Sequence, residues 1–159
     1  MTTTDGFVLG PHDCRTEAVL NVVGEEVLVK VAGTDSNNEM AFFHLVAPPM
    51  SGPPLHLQTR EDELFYVLEG ELVFQIGERR NVAQTGTTVF VPRGTVHTYQ
   101  NFGECSARLL IVVSPAGLDR FFQELSDHTG DSPLPDLAVL EELHTKYGIQ
   151  SMGPPLLSQ

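Results

Sequence analysis

The chain predicts an all-β domain, a sandwich or closed barrel, followed by one or two C-terminal α-helices. Three observations carry this expectation. Short apolar runs alternate with period two between Phe7 and Val113. Gly, Pro, Asn and Asp interrupt those runs at close spacing. After Pro115 the apolar spacing becomes helical.

The elements follow in order. In Val27–Val31 large apolar residues recur on one face. Met40–Ala47 is apolar except for His44, which predicts a strand buried on both faces. Residues 48–54 hold four prolines, so this stretch forms neither a central strand nor a helix. A short strand then carries His56 and Gln58, and another runs over Glu63–Leu68. Glu69-Gly70 separates it from Glu71–Ile76 and suggests a hairpin. Thr87–Val91, a strand opening at His97, and Ala107–Val113 complete the β region. Leu118, Phe121, Phe122 and Leu125 then mark one helix. Asp136 caps a second, whose shared face is Leu137, Leu140, Leu143 and Tyr147, and 132–135 link the two. The resulting division is a β-barrel domain over 1–115, helices packed on it over 116–150, and a loose tail over 151–159.

Composition narrows the function classes. The chain has 159 residues, of which 41% are hydrophobic and 19% charged, an ordinary globular balance. A net charge of −12 repels phosphate backbones and anionic lipid surfaces, so neither nucleic acid nor membrane is an expected partner. No run of about 18 apolar residues could cross a bilayer. The first five residues lack the basic and apolar parts of a secretory signal. Cys14 and Cys105 form no metal-binding or redox pair, which suggests buried thiols in a reduced, cytoplasmic protein.

Two clusters could carry chemistry. His56 and Gln58 lie two apart on a strand and so point the same way. Glu63, Phe65 and Val67 share a face of the next strand, across the charged turn 59–62. If that face is the barrel interior, Glu63 meets His56 and Gln58. The second cluster runs from Gly86 through Pro92 and Gly94 to His97, Tyr99 and Asn101. Imidazole, amide and carboxylate donors converging from both clusters suit a divalent transition metal such as zinc, iron, manganese or nickel. Each residue also has a plainer reading. His56 and His97 could be hydrogen-bonded barrel histidines. Gln58 could ligate, hold a metal-bound water, or mark a site that has lost its metal. Glu63 could be a ligand, or an acid or base without a metal. His44 either points into the barrel near the site or is a satisfied core histidine. Phe65, Phe74 and Phe90 belong to the core or pocket wall, and Tyr99 lines the pocket. His12, His128 and His144 read as surface residues.

These residues resemble the two cupin motifs. Gly86, Pro92, Gly94, His97 and Asn101 meet every fixed position of the second motif. His56, Glu63 and Gly70 meet the first, with Met50 in place of its opening glycine and Gln58 in place of its second histidine. The resemblance implies a double-stranded β-helix, a jelly-roll barrel, with metal held at His56, Gln58, Glu63 and His97. Gly52-Pro-Pro-Leu-His56 and Glu63-Leu-Phe-Tyr-Val-Leu-Glu-Gly70 are similar to the single-domain group often labelled quercetin dioxygenase-like.

The expected function is therefore a metal-dependent dioxygenase acting on a flavonol-like or enolisable small molecule, with Glu63 taking the substrate proton. A non-catalytic small-molecule-binding barrel competes with it, as does a metal-assisted isomerase or lyase of a sugar or keto acid. Edge strands and amphipathic helices suggest a homodimer, the commonest closed assembly.

Overall fold

The computed structural model describes residues 5–132 and 134–157. Residues 1–4, the linker residue Pro133 and the last two residues of the expected tail lie outside these. Among the described residues the first strands are β1 (Leu20–Val22), β2 (Glu25–Val31), β3 (Ala41–Ala47), β4 (Leu55–Gln58) and β5 (Asp62–Glu69). They are followed by β6 (Glu71–Ile76), β7 (Arg79–Gln84), β8 (Thr88–Val91), β9 (His97–Gln100) and β10 (Ala107–Ser114). Helices α1 (Leu118–Thr129) and α2 (Leu137–Tyr147) precede a last strand, β11 (Ile149–Gly153).

The strands form two antiparallel sheets, ordered β1-β2-β3-β10-β5-β8 and β11-β4-β9-β6-β7. This is a double-stranded β-helix. Its inner faces bury Phe43, Leu45, Phe65, Val67, Phe74 and Leu109, each no more than 2% exposed. Period-two alternation sends the other half of each strand outward. Phe90 is therefore 57% exposed, not part of the core or pocket wall. The same rule corrects the reading of β3: only Ala41, Phe43, Leu45 and Ala47 are buried, while Phe42, His44 and Val46 are half-covered on the outer face.

Glu69-Gly70 does not make a hairpin. β5 pairs with β10 and β8, whereas β6 pairs with β7 and β9, so this turn carries the chain from one sheet to the other. The links β4–β5 and β8–β9 cross in the same way.

Helix α1 packs on β1, where the Asn21 amide donates to Ser126 Oγ at 2.9 Å. Its Phe122 ring meets Phe43 edge-on at 5.2 Å. Asp136 caps α2 by accepting from the Ala138 amide at 2.8 Å, and Glu124 holds α2 to α1 through Lys146 and Tyr147. Gly148, with φ of 70°, ends α2 in the left-handed conformation that a Cβ disfavours. The chain is thereby turned into β11, which runs antiparallel to β4 with Ile149 opposite Gln58 and Ser151 opposite His56. Residues 151–153 are thus paired strand, not loose tail, because the open edge of β4 offers them backbone partners. Cys14 is half-buried and Cys105 exposed, and both are free thiols, so the expectation of two buried thiols fails. Among the described residues no helix is long and apolar enough to cross a membrane.

One buried carboxyl spans both sheets. Glu25 on β2 is 5% exposed and accepts from Tyr99 Oη on β9 at 2.7 Å and from Ser51 Oγ at 3.0 Å. Burial pushes its pKa up to about 7, against the smaller opposing pull of those two hydroxyls. The folded protein therefore favours protonated Glu25 more than the unfolded chain does. Stability from this group is complete below about pH 4.5 and is lost as pH rises through about 7.

Two outcomes are expected. Glu25→Gln imitates the protonated acid, so urea unfolding should show it level with the wild type at pH 5. At pH 8 the variant should be more stable, by on the order of 2–3 kcal/mol; parallel pH profiles would contradict this. Gly52→Ala places a Cβ against the backbone carbonyl oxygen of Tyr99. The same measurement should show a loss of about 1–3 kcal/mol.

Candidate metal centre

The site lies where the chain crosses between sheets. His56 on β4 stands opposite His97 on β9 in one sheet, with ring centroids 4.5 Å apart. Glu63 enters from β5 in the facing sheet, and its Oε2 lies 2.7 Å from His97 Nε2. Two contacts set this crossing. The Gly94 amide donates to the Gln58 carbonyl at 2.6 Å, tying the β8–β9 turn to the end of β4. Gly94 does so at φ of 78°, where a side chain would be strained. Arg93 pairs with Asp62 at 3.1 Å and fixes the start of β5.

The imidazoles are oriented from behind. His56 Nδ1 lies 2.8 Å from the Pro54 carbonyl, and His97 Nδ1 lies 2.8 Å from that of Thr95. A carbonyl only accepts, so both Nδ1 atoms carry the proton and each Nε2 is left for the interior. One ligand atom from each of His56, Glu63 and His97 falls within 4.8 Å of the others. Gln58 is 4% exposed, and its Oε1 has no hydrogen-bond partner among the described residues. A buried amide oxygen without a donor is costly, and a cation beside it would remove that cost. The donor set and this orphaned oxygen together fit a divalent metal.

The charges are consistent with that fit. Burial drives the His56 pKa down to about 4, aided by the neighbouring His97 charge, so its lone pair stays free at neutral pH. Burial alone would also discharge His97, but the Glu63 carboxylate outweighs it and raises the His97 pKa. Burial pushes Glu63 up; the His97 contact outweighs this and leaves it below the ordinary carboxyl range, helped by His56 and the Gln58 amide. Their contact favours the charged forms of both His97 and Glu63, and a bound cation would take the place of the His97 Nε2 proton.

These donors open into a cavity of about 490 Å³. Its wall is mainly apolar, with Phe65 and Ile111 from the barrel and Leu118, Phe121, Leu137 and Leu140 from the helices. Tyr99 lines it as well, with its hydroxyl committed to Glu25. His44 does not reach it. That residue faces outward from β3 into a separate groove with Leu28, Lys30, Val46, Arg108 and Leu110. There burial, with Arg108 and Lys30, lowers its pKa. Two cavity residues escaped the sequence reading. Glu25 carries no motif that singles it out, and only its strand register turns it inward while Glu26 faces out. His144 was read as a surface residue, yet it is half-buried and lines the cavity. Its place on α2, four residues after Leu140 and seven after Leu137, on the face those two present to the cavity, is the available signal.

Residues 43–113 match the family model described as Cupin domain. An oxalate-binding protein of Thermotoga maritima is 27% identical over 113 residues, covering 68% of this chain and 93% of that one. A probable oxidoreductase, virH, of Hypocrea virens is 32% identical over 83 residues, covering 50% of this chain but only 38% of the larger relative. Among solved structures, a predicted oxalate decarboxylase from Thermotoga maritima superposes with a TM-score of 0.61 at 24% identity, covering 69% of this chain and 99% of that one. The matched segment contains His56, Gln58, Glu63 and His97, and the superposed structure supports the same two-sheet barrel. Residues 43–113, which match the cupin family model, carry the whole donor set, and the superposed structure has the same fold.

Proposed function

We infer that the chain binds one divalent transition metal through His56, Glu63 and His97, with Gln58 as a weaker fourth donor, and acts as an oxygenase on a largely apolar, oxygen-bearing small molecule. The observation that carries this reading is the contrast inside one cavity: a compact polar donor set at one place and an apolar wall elsewhere. Such a wall suits an aromatic or aliphatic body, and the donors suit a chelating head such as that of a flavonol or an enolised ketone. It suits a sugar poorly, because hydroxyls around a ring would be left without partners. Oxalate, the ligand in the name of one relative, is a small dianion. Among the described residues no Lys or Arg lines the cavity to meet its second charge. The probable oxidoreductase among the relatives agrees with the redox class.

Bound there, the ion would act as a Lewis acid that holds and acidifies the chelating oxygens. The protein's own residues do the rest. Glu63 accepts the proton released by the ligand's hydroxyl or enol. His56 and His97 stay fixed by the Pro54 and Thr95 carbonyls. Phe65 and the helical wall exclude water. A non-catalytic binder is the second reading, favoured by the amide of Gln58, a poorer donor than imidazole. We also assign a homodimer face to the outer side of β5 and β8, where Leu64, Tyr66 and Phe90 are each at least 40% exposed. Light scattering should show two chains per particle, and a monomer would refute it.

Elemental analysis after metal-rich expression should find about one ion per chain; less than roughly one tenth would refute the metal assignment. His97→Ala should weaken metal binding by several kcal/mol, and Gln58→His should tighten it. Because Glu63 raises the His97 pKa, protons compete from above the ordinary histidine range. Metal affinity should therefore fall as pH drops through and below neutrality, with proton release on binding, readable by calorimetry in two buffers. With a flavonol, the metal-loaded protein should consume dioxygen. Tight flavonol binding without oxygen uptake for any of iron, manganese, nickel or zinc would favour the binder.

A further inference from the structure

The helical cap brings a third imidazole to the cavity. His144 lies on α2, outside residues 43–113, and outside the group whose ligand atoms cluster within 4.8 Å. Its ring is held on two sides. Phe121 of α1 packs against it at 5.8 Å between centroids. Ser151 Oγ lies 3.2 Å from its Nδ1. Ser151 itself sits on β11 opposite His56, so the register that places His56 also places the anchor of His144. With Nδ1 engaged, Nε2 is the free ring atom, and it has no hydrogen-bond partner among the described residues. The titratable groups that act on it are Glu141 on its own helix and the neutral His56 across the cavity. Burial lowers its pKa, so it stands neutral at physiological pH and offers one donor or one acceptor, according to tautomer.

We propose that His144 is a specificity-determining residue of this cavity: its Nε2 hydrogen-bonds a ligand hydroxyl distinct from the oxygens held at His56, Glu63 and His97. The inference rests on the functional reading above and adds a second polar requirement to it. A hydroxyl is the matching group because it both donates and accepts, and so satisfies either tautomer of His144. The preferred ligands are therefore apolar ring compounds with a chelating oxygen pair and at least one further hydroxyl, not bare chelators of the same size.

Two flavonols test this as probes under anaerobic conditions, with metal-loaded full-length protein. 3,4′-Dihydroxyflavone and 3-hydroxyflavone share the chelating 3-hydroxy-4-keto pair and differ by one ring hydroxyl, so no other hydroxyl is left without a partner. The wild type should bind 3,4′-dihydroxyflavone about tenfold more tightly, as one buried hydrogen bond allows. His144→Leu should bring the ratio of the two affinities close to one, while metal content stays at the wild-type level. His144→Gln, which keeps a donor and an acceptor, should retain most of the preference. An unchanged ratio in His144→Leu overturns the proposal. So does a wild type that binds both flavonols equally, with the metal reading intact. A wild type that takes up no metal overturns both readings together. If His144→Leu loses metal and both probes, His144→Gln decides: a preserved ratio supports the proposal and a lost ratio overturns it.

Discussion

The 2.7 Å contact between His97 Nε2 and Glu63 Oε2 is the constraint on which the rest of the site depends. It joins a strand of one sheet to a strand of the other in the protein interior. Both side chains are almost fully withdrawn from water, at 2% and 5% exposure. Ionised groups at such depth are tolerated only when paired and hydrogen-bonded. The surrounding backbone meets that demand: Thr95 fixes one face of the imidazole, and the Gly94 turn fixes its height against Gln58. A one-residue slip in the pairing of β5 with β10 and β8 would turn its inward side chains outward and strand the carboxylate.

The same geometry explains why apolar and polar chemistry coexist in one small cavity. The donors sit at the crossings between sheets, where neighbouring strands separate and the interior opens. Deeper in the barrel, Phe65, Phe74 and Tyr99 fill the space, with ring centroids 5.2 to 6.1 Å apart. On the open side the helices supply the missing wall. The barrel segment 43–113 thus contributes the donor set, and the C-terminal segment contributes much of the shape that a ligand would meet. That division matters when relatives are compared, because likeness over 43–113 speaks to the donors and not to the cap.

Much of this was legible from residue order. Alternation put Glu63, Phe65 and Val67 on one face, which the structure turns inward, and the motif resemblance carried by Gly86, Pro92, Gly94 and His97 pointed to the second imidazole. Helix positions followed from Leu118, Phe121 and Leu125, and the Asp136 cap from its side chain. What escaped was long-range. Glu69-Gly70 carries the residues of a tight turn whether the next strand folds back or crosses to the other sheet, so local chemistry could not choose between them. His44 alternates correctly, but which face of β3 points inward depends on its neighbours Phe43 and Leu45 winning the core. Glu25 becomes a buried acid only because Tyr99 and Ser51, distant in sequence, meet it. Residues 151–153 look polar and unstructured until the edge of β4 is seen to need a partner.

That last pairing has a consequence for how the molecule protects itself. β4, the strand that carries His56 and Gln58, would be the rim of its sheet if the chain stopped after α2. A bare rim of amides and carbonyls is a template for any other extended chain, including a sister molecule at high concentration. β11 covers it, but only after a loop of about ninety residues between Gln58 and Ile149 has closed. During synthesis β4 therefore remains open to mispairing until residues 149–153 have left the ribosome, and proteolytic clipping just past Tyr147 would reopen it.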